Sequence, residues 1–108
     1  MLIPFPFTDL STSKKRPCVV ISSEDFNESH ADVIVAAITS RVPDQPGSDH
    51  YVFDESEQEA ADLPKRSMVK LGKIVTIDTR LIRKRLGQLP DDTLYELISG
   101  VQDIIGTN

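Results

Sequence analysis

A small, strongly bent β barrel with one terminal helix packed outside it is the fold that this sequence predicts, and three observations predict it. Short β-branched runs recur along the chain, Gly- and Pro-bearing turn signals separate them, and only the last segment changes to helical spacing. With 108 residues there is room for one domain over 1–108 and little more. Among small barrels an SH3-like one fits best, with an OB-type barrel as the other closed solution.

The elements follow in chain order. Cys18-Val19-Val20-Ile21 after Pro17 is a short buried strand, and Asp32-Val33-Ile34-Val35-Ala36-Ala37-Ile38 is a second. Val42 to Ser48, with two prolines and a glycine, reads as a surface loop. Tyr51-Val52-Phe53 is a shorter strand, and Asp54 to Glu59 reads as a solvated acidic loop. Ser67 to Leu71 and Lys73 to Ile77 are strand-like on either side of Gly72, which offers a bulge or a bend. Arg85-Leu86-Gly87-Gln88-Leu89 is placed to close the sheet. Leu94, Leu97, Ile98, Val101, Ile104 and Ile105 then recur at helical spacing, with Asp91 after Pro90 as cap, Asp92 at the positive end of the dipole, and Gly100 as a weak point.

Composition narrows the function. The net charge is −5, with 39% hydrophobic and 27% charged residues, which argues against a nonspecific nucleic-acid binder because counterion release needs clustered Lys and Arg. The charge is nevertheless segregated: acids concentrate at Asp54 to Asp62 and from Asp91 onward, while Lys14, Lys15, Arg16, Lys65, Arg66, Lys70 and Lys73 lie between them. Folding can gather those bases on one face. No apolar run approaches the length that spans a bilayer, and nothing at the start resembles a secretory signal, so a cytoplasmic protein without membrane contact is expected. The single cysteine, Cys18, permits no intramolecular disulfide and is expected in the core. The carboxylates from Asp54 to Glu59 lack histidine partners and metal-ligand spacing, so no metal and no cofactor are expected. His30 and His50 fall in polar connections and read as surface residues, and the aromatic residues read as core.

The residues that carry chemistry lie in three ordered patterns. Ile3-Pro4-Phe5-Pro6-Phe7-Thr8-Asp9-Leu10 precedes Lys14-Lys15-Arg16-Pro17 at the head of a strand, and Ala36-Ala37-Ile38-Thr39-Ser40-Arg41 ends the next. With Val69-Lys70-Leu71, Lys73-Ile74-Val75-Thr76-Ile77-Asp78 and Leu86-Gly87-Gln88-Leu89, the set resembles the MazF/PemK family of toxin endoribonucleases across nearly the whole chain. That resemblance implies a homodimer of SH3-like barrels that cuts single-stranded messenger RNA at short sequences and is neutralised by a small, partly disordered antitoxin. It also implies catalytic roles for Arg16 and Thr39. The sequence departs from the family in three places: Leu10 stands near the position of a histidine, Lys70-Leu71-Gly72 replaces an Arg-x-Asp pair, and the first strand is expected to be shortened at the N-terminus.

Physical chemistry divides the roles. Cleavage through the adjacent 2′-hydroxyl needs its proton removed, the phosphorane charge neutralised and a proton supplied to the departing 5′-oxygen. The Arg16 guanidinium suits the middle task, being a fork of donors and a poor base. Thr39 and Ser40 can donate hydroxyl hydrogens to a non-bridging oxygen, or cap a turn. Lys14, Lys15, Arg41 and Lys70 are candidate phosphate contacts, against an alternative as solvated surface. Two other functions stay open at this level: a related toxin family with this barrel that poisons gyrase through its terminal helix, and a noncatalytic protein-binding barrel.

Overall fold

The computed structural model of the chain describes residues 2–6, 15–82 and 87–106. Five strands form one antiparallel sheet: β1 (Leu2–Pro6), β2 (Lys15–Val20), β3 (Asp32–Thr39), β4 (His50–Val52) and β5 (Met68–Asp78). Their spatial order is β1-β2-β3-β5-β4, so β1 and β4 are the edges and no ladder joins them among the described residues. Three helices accompany the sheet, α1 (Glu24–Ser29), α2 (Glu55–Ala60) and α3 (Asp91–Ile104), and Thr79–Leu81 forms a 3-10 turn. The chain is thus mainly β with a C-terminal helix.

Alternation along the central strands separates two apolar clusters. Val19, Ala36, Ile38, Val69 and Leu71 face one side, where Phe53, Ala61, Leu63, Leu89, Leu97 and Val101 complete the main core. Cys18, Val20, Val33, Val35 and Ile77 face the other side as a smaller cluster, with Cys18 fully buried. The helices α2 and α3 therefore cover only the first face.

Gly72 lies where the sequence suggests a bulge, inside one continuous strand. Ala36 pairs with Ile74 while its neighbour Ala37 pairs with Lys70, so β5 carries extra residues at Leu71, Gly72 and Lys73. A side chain at Gly72 would meet nothing within 4 Å, and its φ is not positive, so the bulge does not depend on glycine. Gly87 is the opposite case, because a Cβ there would stand 2.3 Å from the backbone oxygen of Ala60. Gly100, expected to weaken α3, instead admits the sheet, since its Cβ would lie 2.6 Å from Leu71 Cδ1.

Several expectations need correction. The acidic stretch from Asp54 is no loop: Asp54 caps α2 by accepting from Glu57 N–H at 2.7 Å, and Glu57 Oε1 accepts from Asp54 N–H at 3.0 Å. The reciprocal bonds stop the first turn from fraying and nucleate a helix too short to show apolar periodicity. α1 is likewise started by Ser23, whose hydroxyl accepts from Phe26 N–H at 3.2 Å. Pro90 rather than Asp91 occupies the cap position of α3, with Asp91 inside the first turn. On α3, Leu97 and Val101 are buried and Leu94 packs on the core, whereas Ile104 and Ile105 are exposed and Tyr95 is 75% exposed, so not every aromatic is core. Of the segment expected to close the sheet, Arg85 and Leu86 lie outside the described residues; Gly87 to Leu89 are not in a strand, and Gln88 N–H instead bonds the Ala60 carbonyl at 3.2 Å.

Candidate functional site

The sheet register decides which predicted residues meet. Cys18 pairs with Ala37, Val19 with Ala36 and Val20 with Val35. The ladder ends at Cys18 and Ala37, and Arg16 and Thr39 each lie two residues beyond that last pair, near neighbouring strand ends. Phe5 pairs with Arg16 on the outer side, while Met68 pairs with Thr39 and with Val52 on the inner side. The neighbouring ends of β2 and β3 therefore carry the two residues expected at the reacting phosphate. Lys15 is the first residue of β2, and Lys14 lies outside the described residues.

Two residues further along β5 from Met68, Lys70 pairs with Ala37 on one side and with His50 on the other. Directly after β3, the chain turns through Ser40 into Arg41, Val42 and Pro43. These elements border a shallow, open cleft of about 380 Å³ lined by Arg41, Val42, Pro43, His50, Met68 and Lys70. Arg41 and Lys70, 29 positions apart in sequence, thus share one opening, and neither has an ion-pair partner among the described residues. Ser40 is exposed.

Thr39 Oγ1 accepts from Arg41 N–H at 3.1 Å, so the turn-capping role anticipated for it is real. The same bond fixes the rotamer and leaves the hydroxyl hydrogen to donate. Capping and substrate contact are compatible in one side chain.

The two histidines part company. His30 is exposed, stacks on Phe26 with ring centroids 4.2 Å apart, and its Nδ1 donates to the Phe26 carbonyl at 2.9 Å, which finishes α1. His50, read as surface from the sequence, lines the cleft together with the two cations, with its side chain 21% exposed. The signal that could have found it is its place at the head of the strand that pairs with Lys70.

Behind the same strand lies a second polar cluster. Tyr51 Oη donates toward Glu57 Oε2 at 2.7 Å and Glu96 Oε2 at 3.0 Å, and Thr93 Oγ1 donates to Glu57 Oε2 at 2.7 Å. Burial, then hydrogen bonds to the two carboxylates, hold the Tyr51 hydroxyl above the usual phenol range. At the far end of β5, hydrogen bonds from the Arg80 side chain and backbone hold the Asp78 carboxyl down at about 2. Among the described residues no group of three or more His, Cys, Asp or Glu side chains could hold a metal ion, and no helix is long and apolar enough to cross a membrane.

Residues 1–105 match the family model of the PemK-like, MazF-like toxin of type II toxin-antitoxin systems. The chain belongs to this family. It is 32% identical over 96 residues to endoribonuclease MazF2 of Mycobacterium bovis, a match that covers 86% of this chain and 80% of the relative. Among solved structures, an endoribonuclease in complex with its cognate antitoxin from a mycobacterial species superposes with a TM-score of 0.76 at 17% identity, over 99% of this chain and 92% of that one. The MazE-MazF structure from Deinococcus radiodurans gives 0.73 at 20% identity, over 99% and 92% of the two chains. At these identities the structural likeness establishes the MazF fold.

Proposed function

We propose that this PemK/MazF-family protein is a sequence-selective, metal-independent endoribonuclease toxin that cuts single-stranded messenger RNA in the cytoplasm to inhibit growth. The observation that supports the reading is the pairing of β2 with β3, whose last pair, Cys18 with Ala37, lies two residues from Arg16 and from Thr39, together with a cleft lined by Arg41 and Lys70, which have no ion-pair partner among the described residues. Family membership and relatives named as endoribonucleases support the reaction class.

In the proposed reaction the 2′-hydroxyl gives up its proton to water as its oxygen attacks the adjacent phosphorus, the bond to the 5′-oxygen breaks and that oxygen takes a proton from water, so the products carry a 2′,3′-cyclic phosphate and a 5′-hydroxyl. Arg16 clamps the non-bridging oxygens as negative charge grows on them, and Thr39 donates a hydroxyl hydrogen to the same group. Lys14, Lys15, Ser40, Arg41 and Lys70 hold the flanking phosphates. Such a site consumes no metal, since guanidinium and hydroxyl donors carry the charge.

The whole chain, 1–108, acts as one toxin domain in this proposal, and two copies form a homodimer whose shared groove is longer than one small domain supplies. A small antitoxin, acidic near the end that covers the Lys14 to Arg16 loop, neutralises it. Purified protein incubated with a defined RNA, with and without EDTA, tests the reaction. Cyclic-phosphate ends that form equally in both conditions are the expected result. Intact RNA, or cleavage that EDTA stops, sinks the reading.

A further inference from the structure

We propose that His50 reads a base edge: the cleft between the Arg41 to Pro43 turn and β5 receives one unpaired nucleobase of the RNA, and the His50 imidazole donates to a carbonyl acceptor on it. This rests on the RNA substrate proposed above and adds a specificity-determining residue to that site.

The lining has two chemistries. Val42, Pro43 and Met68 are apolar, while Arg41 and Lys70 are cations with no ion-pair partner among the described residues. A nucleotide has the same division, with an apolar base face and an anionic phosphate, and single-stranded RNA presents both together. A cleft of about 380 Å³ lies at the small end of the range that ligand pockets occupy, fit for one base rather than a folded element.

The imidazole is held in one tautomer. Gly47 N–H lies 3.1 Å from His50 Nδ1, and because a backbone N–H can only donate, Nδ1 must accept. The ring hydrogen is therefore on Nε2. Asp49 Oδ1 stands 3.7 Å from Nε2, beyond hydrogen-bond distance, and favours that same orientation. In this state the ring offers a donor and has no lone pair at Nε2, so it recognises an acceptor and takes no proton from the 2′-hydroxyl there. Uracil and guanine present a carbonyl oxygen where cytosine and adenine present an amino group, so the expected preference is for uracil or guanine at one position. His50 is also the cross-strand partner of Lys70, which ties the base contact to a phosphate contact in the same row.

Binding of 2′-O-methyl pentanucleotides, which cannot be cleaved, tests the idea with each base placed in turn at every position. The unaltered protein should prefer uracil or guanine at one position by about tenfold, the scale of a single specific hydrogen bond. In His50→Ala that ranking should vanish at that position and persist at the others. His50→Gln, whose amide can donate, should retain part of it. An unchanged ranking in His50→Ala, a loss at all positions together, or equal binding of all four bases by the unaltered protein overturns the proposal. The nuclease reading fails separately, if the 2′-hydroxyl forms of the bound pentanucleotides stay intact.

Discussion

His50 and Tyr51 are neighbours on β4, and the two faces they serve have opposite character. On the His50 side, Arg41 and Lys70 line an open cleft with no ion-pair partner among the described residues. On the Tyr51 side, Glu57, Thr93 and Glu96 form a closed hydrogen-bonded set against the helices, and Glu57 is only 8% exposed. Strand alternation delivers one residue to each. The lesson concerns what is left unsatisfied. Buried polar groups must find partners inside the protein or cost stability, whereas cations at an opening are solvated by water and stay available to a ligand.

The comparison is broken most directly at Arg16. Arg16→Ala should lower RNA cleavage about a hundredfold, since one preorganised charged donor contributes on the order of 3 kcal/mol of transition-state stabilisation, while the melting temperature stays within a few degrees. Arg16→Lys should recover little, because an ammonium lacks the planar fork. Single-turnover rates alongside thermal melts decide it, and equal rates would return the Lys14 to Arg16 cluster to a solvated loop.

Glu57→Ala should do the reverse. It removes the acceptor for the Tyr51 and Thr93 hydroxyls and half of the α2 capping box, a loss of roughly 2 kcal/mol in stability. The residual folded protein should cut RNA at the unaltered rate per active molecule. Urea melts read the first effect, and active-site titration reads the second.

Two smaller effects sharpen the contrast. Lys70→Ala should weaken RNA binding several-fold and reduce the salt dependence by about one phosphate contact, without a change in melting temperature. Fluorescence anisotropy over a salt series would show it, and an unchanged slope would remove Lys70 from the phosphate path. The smallest is alkaline. Because the folded-state pKa of Tyr51 is raised, its contribution is fully present below the unfolded phenol value near 10 and is lost as pH rises above it. Tyr51→Phe should flatten that alkaline decline, and melting temperatures from pH 8 to pH 11 would reveal a curve that fails to flatten.

The strands were legible because Cys18 to Ile21 and Asp32 to Ile38 are short β-branched apolar runs bounded by turn signals, too short for a buried helix. α1 and α2 were not, since each has six residues and no buried apolar stripe, and their stability comes from caps. The Asp54 to Glu57 spacing was a capping signal hidden in a run that reads equally well as solvated acid. On α3, the period showed which residues could share a face, but not that Ile104 and Ile105 would be exposed at its end.

By itself the sequence determined the β-rich class, the terminal helix, the family and the identity of Arg16, Thr39, Arg41 and Lys70 as groups with the right chemistry. These are local properties, carried by periodicity, charge and short ordered motifs. Only the tertiary structure decided which of them stand together: β3 and β5 pair across a chain separation that no local pattern measures, the shift between Ala36 and Ala37 sets Lys70 against Ala37, and the pairing of β4 with β5 sets it against His50. A one-residue difference in that register would turn Lys70 to the other face, because successive side chains in a strand point to opposite sides.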